Sequence, residues 1–433
     1  MSHQPLPLNQ GQLAAAEGFF QFLFNDEKEM VISGPGGVGK TFLMGHLIDQ
    51  ILPQYFETCQ LMGIPAEYDE VVMTATTNKA SEVLGIETGR PSSTVHSFLN
   101  LKVTDNYSTG ESTLSKTNAW MIHTKKIIFI DECSMIDSAL WAMIREGTIK
   151  CKIVYVGDHD QLAPIKETLS PIYRQNFTTY YLTEPMRNAG QPALQALCQQ
   201  MRDTVETGDF YPIKLVPGVI DHLSDEQMEA ELRAVFVNQD AGSQILAYTN
   251  QRVNDYNAFI REVRALPIQF QQGEYLINNT AIRLKAGMLS VEQEVLIREQ
   301  SASTSFVEIA PDVQLEVCLC TLENLYGESF YGVPLPVDRA HYDSLVKHYQ
   351  KTKNWNRYFF LKNTFPDLRQ RDAKTVHKAQ GSTCDTVYID LGNLSTCRNP
   401  NQTARLFYVA VTRPRSRIAF FGDLAEKYGE LYE

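Results

Sequence analysis

Gly34-Pro35-Gly36-Gly37-Val38-Gly39-Lys40-Thr41 is the stretch that decides the fold of this chain. It matches the pattern G-x-x-x-x-G-K-[ST] and stands between a strand-like run, residues 29–33, and a helix-like run, residues 41–52. In that context backbone N–H groups wrap phosphates at the start of a helix, whereas the alternative is an ordinary glycine-rich turn. The residues expected to contact a nucleotide are Gly34, Gly36, Gly37, Val38, Gly39, Lys40 and Thr41. Lys40 would reach the β- and γ-phosphates, and the Thr41 hydroxyl would bind Mg²⁺.

A second apolar run, residues 127–130, ends in two carboxylates, Asp131 and Glu132. Ligands bind at the carboxyl ends of parallel strands, so this pair should lie beside the phosphate loop. Asp131 suits Mg²⁺ binding, and Glu132 suits the base that orients and deprotonates an attacking water. The pair therefore favours nucleotide hydrolysis over binding alone. A third run, residues 153–156, leads to Gln161, which could sense the γ-phosphate; the alternative is an ordinary polar loop.

The composition is typical of a globular, intracellular protein. The length of 433 residues predicts about three domains. With 43% hydrophobic and 21% charged residues, disorder over most of the chain is excluded. No apolar run approaches the roughly 18 residues of a membrane span, and residues 1–10 carry no basic-then-apolar signal.

Two features of the composition leave function open. The eight cysteines are scattered without C-x-x-C spacing, which favours structural roles over a metal site. The net charge of −12 argues mildly against nucleic acid as a partner. It does not exclude one, because a bound strand responds to the local groove rather than to the total charge.

The pattern of strands and helices predicts an α/β fold with two similar parallel-sheet domains. The first domain is expected at residues 1–181, with a small β-hairpin inserted at about residues 99–122. The second is expected at residues 182–265 and 370–433, where the α/β pattern resumes. A β-rich insertion is expected at residues 266–369.

Further motifs lie along the chain in a fixed order. They are Leu8-Asn9-Gln10-Gly11-Gln12, residues 74–80, residues 93–98, residues 182–187, residues 247–250, Thr375-Val376-His377-Lys378-Ala379-Gln380-Gly381-Ser382-Thr383 and Leu406-Phe407-Tyr408-Val409-Ala410-Val411-Thr412-Arg413. With the phosphate loop and the Asp-Glu pair, this set resembles the superfamily 1 helicases. It is most similar to their 5′-to-3′ branch, the superfamily 1B helicases of the RecD and Dda types, over nearly the whole chain. The resemblance implies two RecA-like domains, with a strand-separating hairpin in the first and an SH3-like insertion in the second.

For the nucleotide, the resemblance implies ATP with Mg²⁺, bound in the cleft between the two RecA-like domains. Gln12 would read adenine, although it could instead belong to an ordinary helix start capped by Asn9. The other residues implied at the nucleotide are Lys40, Asp131, Glu132, Gln161, Arg187, Gln380, Gly381 and Arg413. Arg187 and Arg413 would contact the γ-phosphate from the second domain. Relatives often carry an aromatic residue before the first of these arginines, where this chain has Met186.

For the strand, the resemblance implies ten DNA-contacting residues, which are Thr76, Asn78, Thr94, His96, Phe98, Thr249, Asn250, Thr375, His377 and Lys378. Hydroxyls, amides, lysines and backbone N–H groups at helix starts suit phosphates. Residues 104–110 would form the hairpin tip, and Phe98 or Tyr107 could stack on the split base pair. The aromatic cluster near Trp355 is expected to be core of the insertion rather than a DNA stack.

The resemblance therefore implies an ATP-dependent 5′-to-3′ DNA helicase of replication or recombination. It would be a phage-encoded monomer that acts on single-stranded and forked DNA in a bacterial cytoplasm. Single-stranded-DNA-binding protein or replisome components are its expected protein partners. The alternative is a strand-stimulated ATPase that translocates and remodels protein–DNA complexes with little unwinding. A non-catalytic ATP switch is disfavoured because the hydrolytic residues are retained together, and small-molecule kinases lack the last two motifs.

Overall fold

The computed structural model describes residues 7–164, 167–184, 191–239, 242–325 and 327–433. In the first part of the chain, strands and helices alternate. The helices are α1 (Gln10–Phe24), α2 (Lys40–His46), α3 (Leu52–Met62), α4 (Asn78–Thr88), α5 (Val95–Phe98) and α6 (Ser138–Gly147). The strands are β1 (Glu29–Ser33), β2 (Glu70–Ala75), β3 (Ser92–Thr94), β4 (Leu101–Asp105), β5 (Ser112–Lys116), β6 (Lys126–Asp131), β7 (Lys152–Gly157) and β8 (Thr178–Tyr181). A π-helical turn, Leu47–Ile51, joins α2 to α3.

The rest of the chain begins and ends with α/β elements and has a β-rich stretch between them. The first elements are α7 (Pro192–Thr207), β9 (Ile213–Lys214), β10 (Ile220–Leu223), α8 (Asp225–Phe236), β11 (Ser243–Ala247) and α9 (Asn250–Val263). The β-rich stretch comprises β12 (Tyr275–Asn278), β13 (Ile282–Leu284), β14 (Gly287–Leu289), β15 (Glu294–Ala310), β16 (Val313–Asn324), β17 (Ser329–Pro336), α10 (Arg339–Lys351), α11 (Trp355–Thr364) and β18 (Leu368–Gln370). The last elements are β19 (Ala373–Thr375), α12 (Val376–Ala379), β20 (Cys384–Asp390), α13 (Leu391–Leu394), α14 (Pro400–Val411), β21 (Pro414–Phe421) and β22 (Leu431–Tyr432).

Two parallel sheets form the centres of two α/β units. Within the described residues, the first sheet has six strands in the order β3-β2-β6-β7-β1-β8, and the second has five in the order β10-β21-β20-β11-β19. Every strand pair in both sheets is parallel. The α/β class with two parallel sheets, predicted from the sequence, is confirmed.

Alternate residues of the central strands enter different cores because both faces of each sheet are covered by helices. In β6, Ile127 and Phe129 pack into one core with α1, whereas Ile128 and Ile130 pack into the other with α6. The second sheet divides its strands in the same way between two cores. This burial on both faces explains why the strands read as continuous apolar runs in the sequence.

The insertion is an antiparallel sheet with two helices beside it. Its strand order is β17-β16-β15-β12-β18, and β15 and β16 pair along a long arm interrupted by register shifts. Helices α10 and α11 pack on the distal part of this arm through Tyr342, Leu361 and Phe365. The SH3-like fold of the insertion, and the domain boundaries, stay predictions.

The cysteines are isolated thiols. All eight are free; Cys198 is partly exposed and the other seven are buried. Cys318 and Cys320 share the core face of β16, where they pack among apolar side chains. No helix in the described ranges combines the length and apolarity needed to cross a membrane.

Candidate functional site

The predicted nucleotide motifs of the first unit meet at one edge of its sheet. The strand order places β6, β7 and β1 side by side, and all three run in the same direction. Their carboxyl ends therefore bring together the loop after β1, Asp131 at the end of β6 and Asp158 just after β7.

The phosphate loop is held in shape by its own side chain and by α1. Gly37 and Gly39 have φ values of 85° and 79°, which glycine adopts without strain. Lys40 Nζ donates to Gly34 O at 2.8 Å, so the lysine folds back over the loop. Gln12 Nε2 donates to Val38 O at 3.2 Å, and Gln12 is fully buried. Gln12 thus anchors the loop.

The alternative interpretation of Gln12 as part of a capped helix start is present in the structure. Asn9 caps α1 by accepting from Gln12 N at 2.8 Å, and Gln12 Oε1 accepts from Asn9 N at 3.1 Å. These reciprocal bonds form a capping box. A role for Gln12 in reading adenine stays a prediction.

The two carboxylates at the end of β6 are partly buried side by side. Burial and the neighbouring Glu132 together raise the pKa of Asp131 from 3.8 to about 7, against the opposing effect of Lys40. Burial also raises the pKa of Glu132, against the attraction of Lys40 and Arg413. Glu132 has φ 53°, a left-handed conformation that non-glycine residues seldom adopt and that is often found at functional sites. Within the described residues, its Oε2 atom is buried without a hydrogen-bond partner.

The second unit brings further predicted nucleotide residues to this pair. Arg413 is 5% exposed and close enough to lower the pKa of Glu132. Gln380 Nε2 donates to Ser134 Oγ at 3.1 Å across the cleft, next to the catalytic pair. A Cβ added to Gly381 would stand 3.7 Å from Glu132 Oε1. Three residues predicted from two separate motifs therefore converge on one cleft.

The loop that carries Gln161 is gripped by α14 of the second unit. Tyr408 donates its hydroxyl proton to Asp158 Oδ2 at 2.7 Å, and Gln161 Nε2 donates to the same oxygen at 3.3 Å. Arg405 Nη1 donates to the carbonyls of His159 and Gln161 at 2.6 and 2.7 Å. Gln161 is 3% exposed, and within the described residues its Oε1 atom has no hydrogen-bond partner. The second unit therefore fixes how this amide is presented.

Sequence reasoning missed the residues that hold this loop. Arg405 and Tyr408 come from α14, and Arg202 Nε of α7 donates to Asp160 Oδ2 at 2.8 Å. A signal existed only for Tyr408, which lies inside the last quoted motif. Arg202 and Arg405 lie outside every motif, and their partners are tens to hundreds of residues away in sequence. Arg187, predicted at the γ-phosphate, and Met186 lie outside the described residues.

Predicted strand contacts of the first unit follow β2 and β3. Thr76 donates to Glu132 O at 3.2 Å, so it supports the carboxylate loop. Thr94 caps α5 by accepting from Ser97 N at 3.1 Å. Burial lowers the pKa of His96. Phe98 stacks on His123 with ring centroids 4.1 Å apart, so its ring already has an aromatic partner within its own unit.

Predicted strand contacts of the second unit follow β11 and β19, which are neighbours in its sheet. Thr249 caps α9 and Thr375 caps α12, each accepting from a backbone N–H three residues on. Asn250, Thr375 and Lys378 line one small cavity. Burial lowers the pKa of His377, which keeps this imidazole neutral near pH 7. In the DNA-free protein both threonine hydroxyls therefore serve as helix caps.

The hairpin β4–β5 reaches the insertion. The Tyr107 ring at its tip lies 4.9 Å from Phe359 of α11, and Asn363 Nδ2 donates to Asp105 Oδ2 at 3.1 Å. Gly110 lies against the Trp355 ring. The aromatic cluster expected as insertion core thus divides: Tyr358 packs on that core, whereas Trp355 and Phe359 face the hairpin.

Two family models match this chain. One, described as an AAA domain, matches residues 7–211. The other, described as the UvrD-like helicase C-terminal domain, matches residues 372–419. They cover the phosphate loop and the motif that begins at Thr375, respectively.

Curated relatives extend the likeness over nearly the whole chain. The ATP-dependent DNA helicase dda of Enterobacteria phage T4 is 23% identical and aligns with 94% of this chain and 98% of its own length. The ATP-dependent RecD2 DNA helicase of Deinococcus radiodurans is 26% identical over 91% of this chain and 47% of its own length. Together these matches support a superfamily 1B helicase of the Dda type.

Solved structures of Pif1 helicases share the fold of this chain. A Pif1 structure from work on two coordinating Pif1 helicases at forked dsDNA is 13% identical, has a TM-score of 0.55 and covers 98% of this chain and 94% of that chain. The Pif1 helicase from Bacteroides in complex with ADP-AlF3 and ssDNA is 12% identical, has a TM-score of 0.53 and covers 99% and 95% of the two chains. The likeness supports two RecA-like domains.

Proposed function

We propose that this superfamily 1B helicase hydrolyses ATP to move 5′ to 3′ along single-stranded DNA and to unwind the duplex ahead. The observation that carries the proposal is the cleft where the two RecA-like domains meet. Lys40 and Glu132 come from one domain and Arg413 from the other, and both cations act on the Glu132 carboxylate. A site divided between two domains can open and close with nucleotide state, which couples hydrolysis to movement.

The nucleotide is ATP with Mg²⁺. The chemistry of the cleft fits this pair because two partly buried carboxylates stand beside a phosphate loop, and a buried oxygen of Glu132 has no hydrogen-bond partner among the described residues. Thr41 and Asp131 would hold the metal. When bound, Mg²⁺ neutralises charge on the β- and γ-phosphates.

The protein supplies the remaining chemistry. Lys40 exchanges its loop carbonyls for phosphate oxygens. Glu132 orients the attacking water and accepts its proton, while Gln161 donates its amide to the γ-phosphate. Arg413, together with Arg187, stabilises the charge that develops on the transferred group, an effect worth about 10³-fold or more in rate. Tyr408 and Arg405 of the second domain hold the Gln161 loop of the first. A movement of one domain relative to the other therefore changes the position of Gln161 at the γ-phosphate.

The strand follows the carboxyl ends of β2 and β3 in the first domain and of β11 and β19 in the second. The ten residues expected there from the sequence remain its proposed contacts. The hairpin, braced by α11, separates the duplex at the fork. Four parts of the proposal rest on likeness to dda. They are the 5′-to-3′ direction, replication or recombination as the setting, a phage origin with action in the bacterial cytoplasm, and replisome or strand-binding proteins as partners.

The test uses forked duplexes that carry a single 5′ tail or a single 3′ tail, with Mg²⁺ and ATP. Unwinding and ATP turnover are read on the same samples for the wild type, Lys40→Ala and Lys28→Ala. Lys28 is an exposed lysine at the opposite end of β1, so it controls for loss of a charge.

We expect unwinding from the 5′ tail alone, lost in Lys40→Ala and kept in Lys28→Ala. Unwinding from the 3′ tail would overturn the polarity. Strand-stimulated ATP turnover without unwinding from either tail would replace the helicase assignment with that of a translocase.

A further inference from the structure

The loop between β14 and β15, residues 290–293, contacts both halves of the proposed DNA track. Asn78 Nδ2 of the first domain donates to Val291 O at 3.3 Å. Lys378 Nζ of the second domain lies 3.2 Å from a Glu292 carboxylate oxygen. One short loop of the insertion therefore contacts proposed strand-binding side chains from both RecA-like domains.

The same loop divides the space along the track. On one side lies a cavity of about 380 Å³ whose walls include Asn78 and Lys79. On the other side lies a cavity of about 30 Å³ whose walls include Thr375 and Lys378. Glu292 lines both cavities. The loop thus stands in the middle of the proposed path rather than beside it.

The chemistry of the loop matches that of a nucleic-acid backbone. Side-chain amides and lysines bind phosphate oxygens. Here an amide and a lysine bind a carbonyl oxygen and a carboxylate instead. The negative charge of Glu292 also acts on Lys374, opposing the lowering of its pKa by burial. Glu294, two residues further along the chain, is paired with Arg371.

Hydrogen bonds from buried residues hold the loop in a defined conformation. Asn278 is fully buried, and its side-chain Nδ2 donates to Leu289 O and Ser290 O at 3.1 and 2.9 Å. Its backbone carbonyl accepts from Glu292 N at 2.8 Å. Glu292 itself has φ 60°, a left-handed conformation that costs a non-glycine residue free energy. The surrounding bonds maintain that conformation and hold its carboxylate toward Lys378.

We infer that residues 290–293 form a built-in strand mimic. In the DNA-free protein the loop occupies Asn78 and Lys378 with two of its own oxygens, and single-stranded DNA must displace it to bind. The inference rests on the proposed function, which assigns both side chains to the strand. Because only the displaced form binds, the apparent affinity for DNA falls in proportion to the fraction of molecules in that form.

The experiment compares the wild type with Glu292→Gln and with a matched control, Glu323→Gln. Glu323 is a carboxylate of the same insertion that pairs with Arg298, so its substitution changes the net charge equally. Binding and dissociation of a fluorescent oligo-dT of about 15 nucleotides are followed by anisotropy and stopped flow without nucleotide. ATP turnover is then titrated with the same oligonucleotide.

We expect Glu292→Gln to bind oligo-dT about fivefold more tightly than the wild type, mainly through faster association. A factor of this size is a modest coupling between the loop and the oligonucleotide, which compete for the same side chains. The oligonucleotide concentration that half-stimulates ATP turnover should fall by the same factor, with maximal turnover unchanged. Glu323→Gln should match the wild type.

Equal binding by the two variants would overturn the mimic, since a charge effect alone would then explain the result. Weaker binding with faster dissociation in Glu292→Gln would also overturn it, because the loop would then hold the strand. A wild type that neither binds oligo-dT nor responds to it would instead contradict the proposed function.

Discussion

The raised pKa of Asp131 predicts that the ionised carboxylate lowers the free energy of unfolding when no nucleotide or metal is bound. The folded protein holds a proton at this pair up to about pH 7, whereas an unfolded aspartate releases it near 3.8. The stability that this proton confers is therefore present at low pH and is lost as pH rises through about 7.

We expect Asp131→Asn, without nucleotide, to unfold at a higher temperature than the wild type at pH 8 and by a smaller margin at pH 5, because less of the stability that the proton confers has been lost there. Each pKa unit corresponds to about 1.4 kcal/mol, so the difference at pH 8 should reach a few kcal/mol. ATP turnover should fall at least about 100-fold, since metal binding is worth several kcal/mol. Thermal melts of the two proteins at both pH values test the stability prediction. Equal unfolding temperatures of Asp131→Asn and the wild type at pH 8 would contradict it.

Tyr408 should act on catalysis through Gln161. Tyr408→Phe leaves the buried Asp158 carboxylate without one donor and frees the amide that shares it. Such a loss costs about 1–3 kcal/mol, so strand-stimulated kcat should fall about tenfold. The KM for ATP should change by less than about twofold, because binding is not altered.

The matched control is Tyr428→Phe, another buried tyrosine whose hydroxyl donates to Cys397 O at 2.6 Å within the second domain. Steady-state ATP turnover with saturating oligo-dT compares the two variants. Equal effects on kcat would assign Tyr408 a purely structural role.

The sequence predicted the residues of the nucleotide site better than the residues that hold them in position. Lys40, Asp131 and Glu132 belong to motifs in which spacing and the preceding strand imply position. Arg405 could not be found in this way, because it binds backbone carbonyls nearly 250 residues earlier and no motif marks such a partner.

The contact between the hairpin and α11 should serve unwinding rather than hydrolysis. Gly110 has φ 76°, and a Cβ there would meet the Trp355 ring at 2.5 Å. Gly110→Ala should therefore push the hairpin tip away from α11. We expect the unwinding rate to fall about tenfold, a loss of roughly 1.4 kcal/mol, while oligo-dT-stimulated ATP turnover stays near that of the wild type.

A control with the same backbone strain is available. Gly89 has φ 64°, and an added Cβ would meet nothing within 4 Å. Unwinding and ATP turnover of Gly89→Ala and Gly110→Ala are compared on the forked duplex with a 5′ tail. Equal unwinding by the two variants would show that the contact with Trp355 is unimportant.

Strands and helices were predictable where burial is regular, and contacts between distant elements were not. Strand β6 is buried on both faces, so it reads as an apolar run, and the hairpin predicted at about residues 99–122 contains β4 and β5. The division of the aromatic cluster between core and hairpin depends on how the insertion sits on the first domain. No local periodicity contains that information, which explains the incomplete expectation for Trp355.

We expect few phosphates to be neutralised when the protein binds a strand, because few basic side chains line the proposed track. Three lysines, Lys79, Lys374 and Lys378, lie beside the proposed track. Each phosphate contact on a single strand contributes about −0.7 to the slope of log K against log salt, so we expect a slope of about −2. Anisotropy titrations with oligo-dT at several salt concentrations measure it. A slope steeper than about −5 would require basic contacts that this track does not offer.

The burial of the native thiols makes the intact protein suitable for site-selective labelling. Burial raises the pKa of Cys133, Cys198 and Cys320 to about 12, and only thiolates react readily with maleimide dyes. An introduced surface cysteine on the hairpin tip and another on α11 would therefore take up a donor and an acceptor dye while the native cysteines stay unmodified. Energy transfer between the two dyes could then follow the hairpin and the insertion parting and rejoining on single molecules.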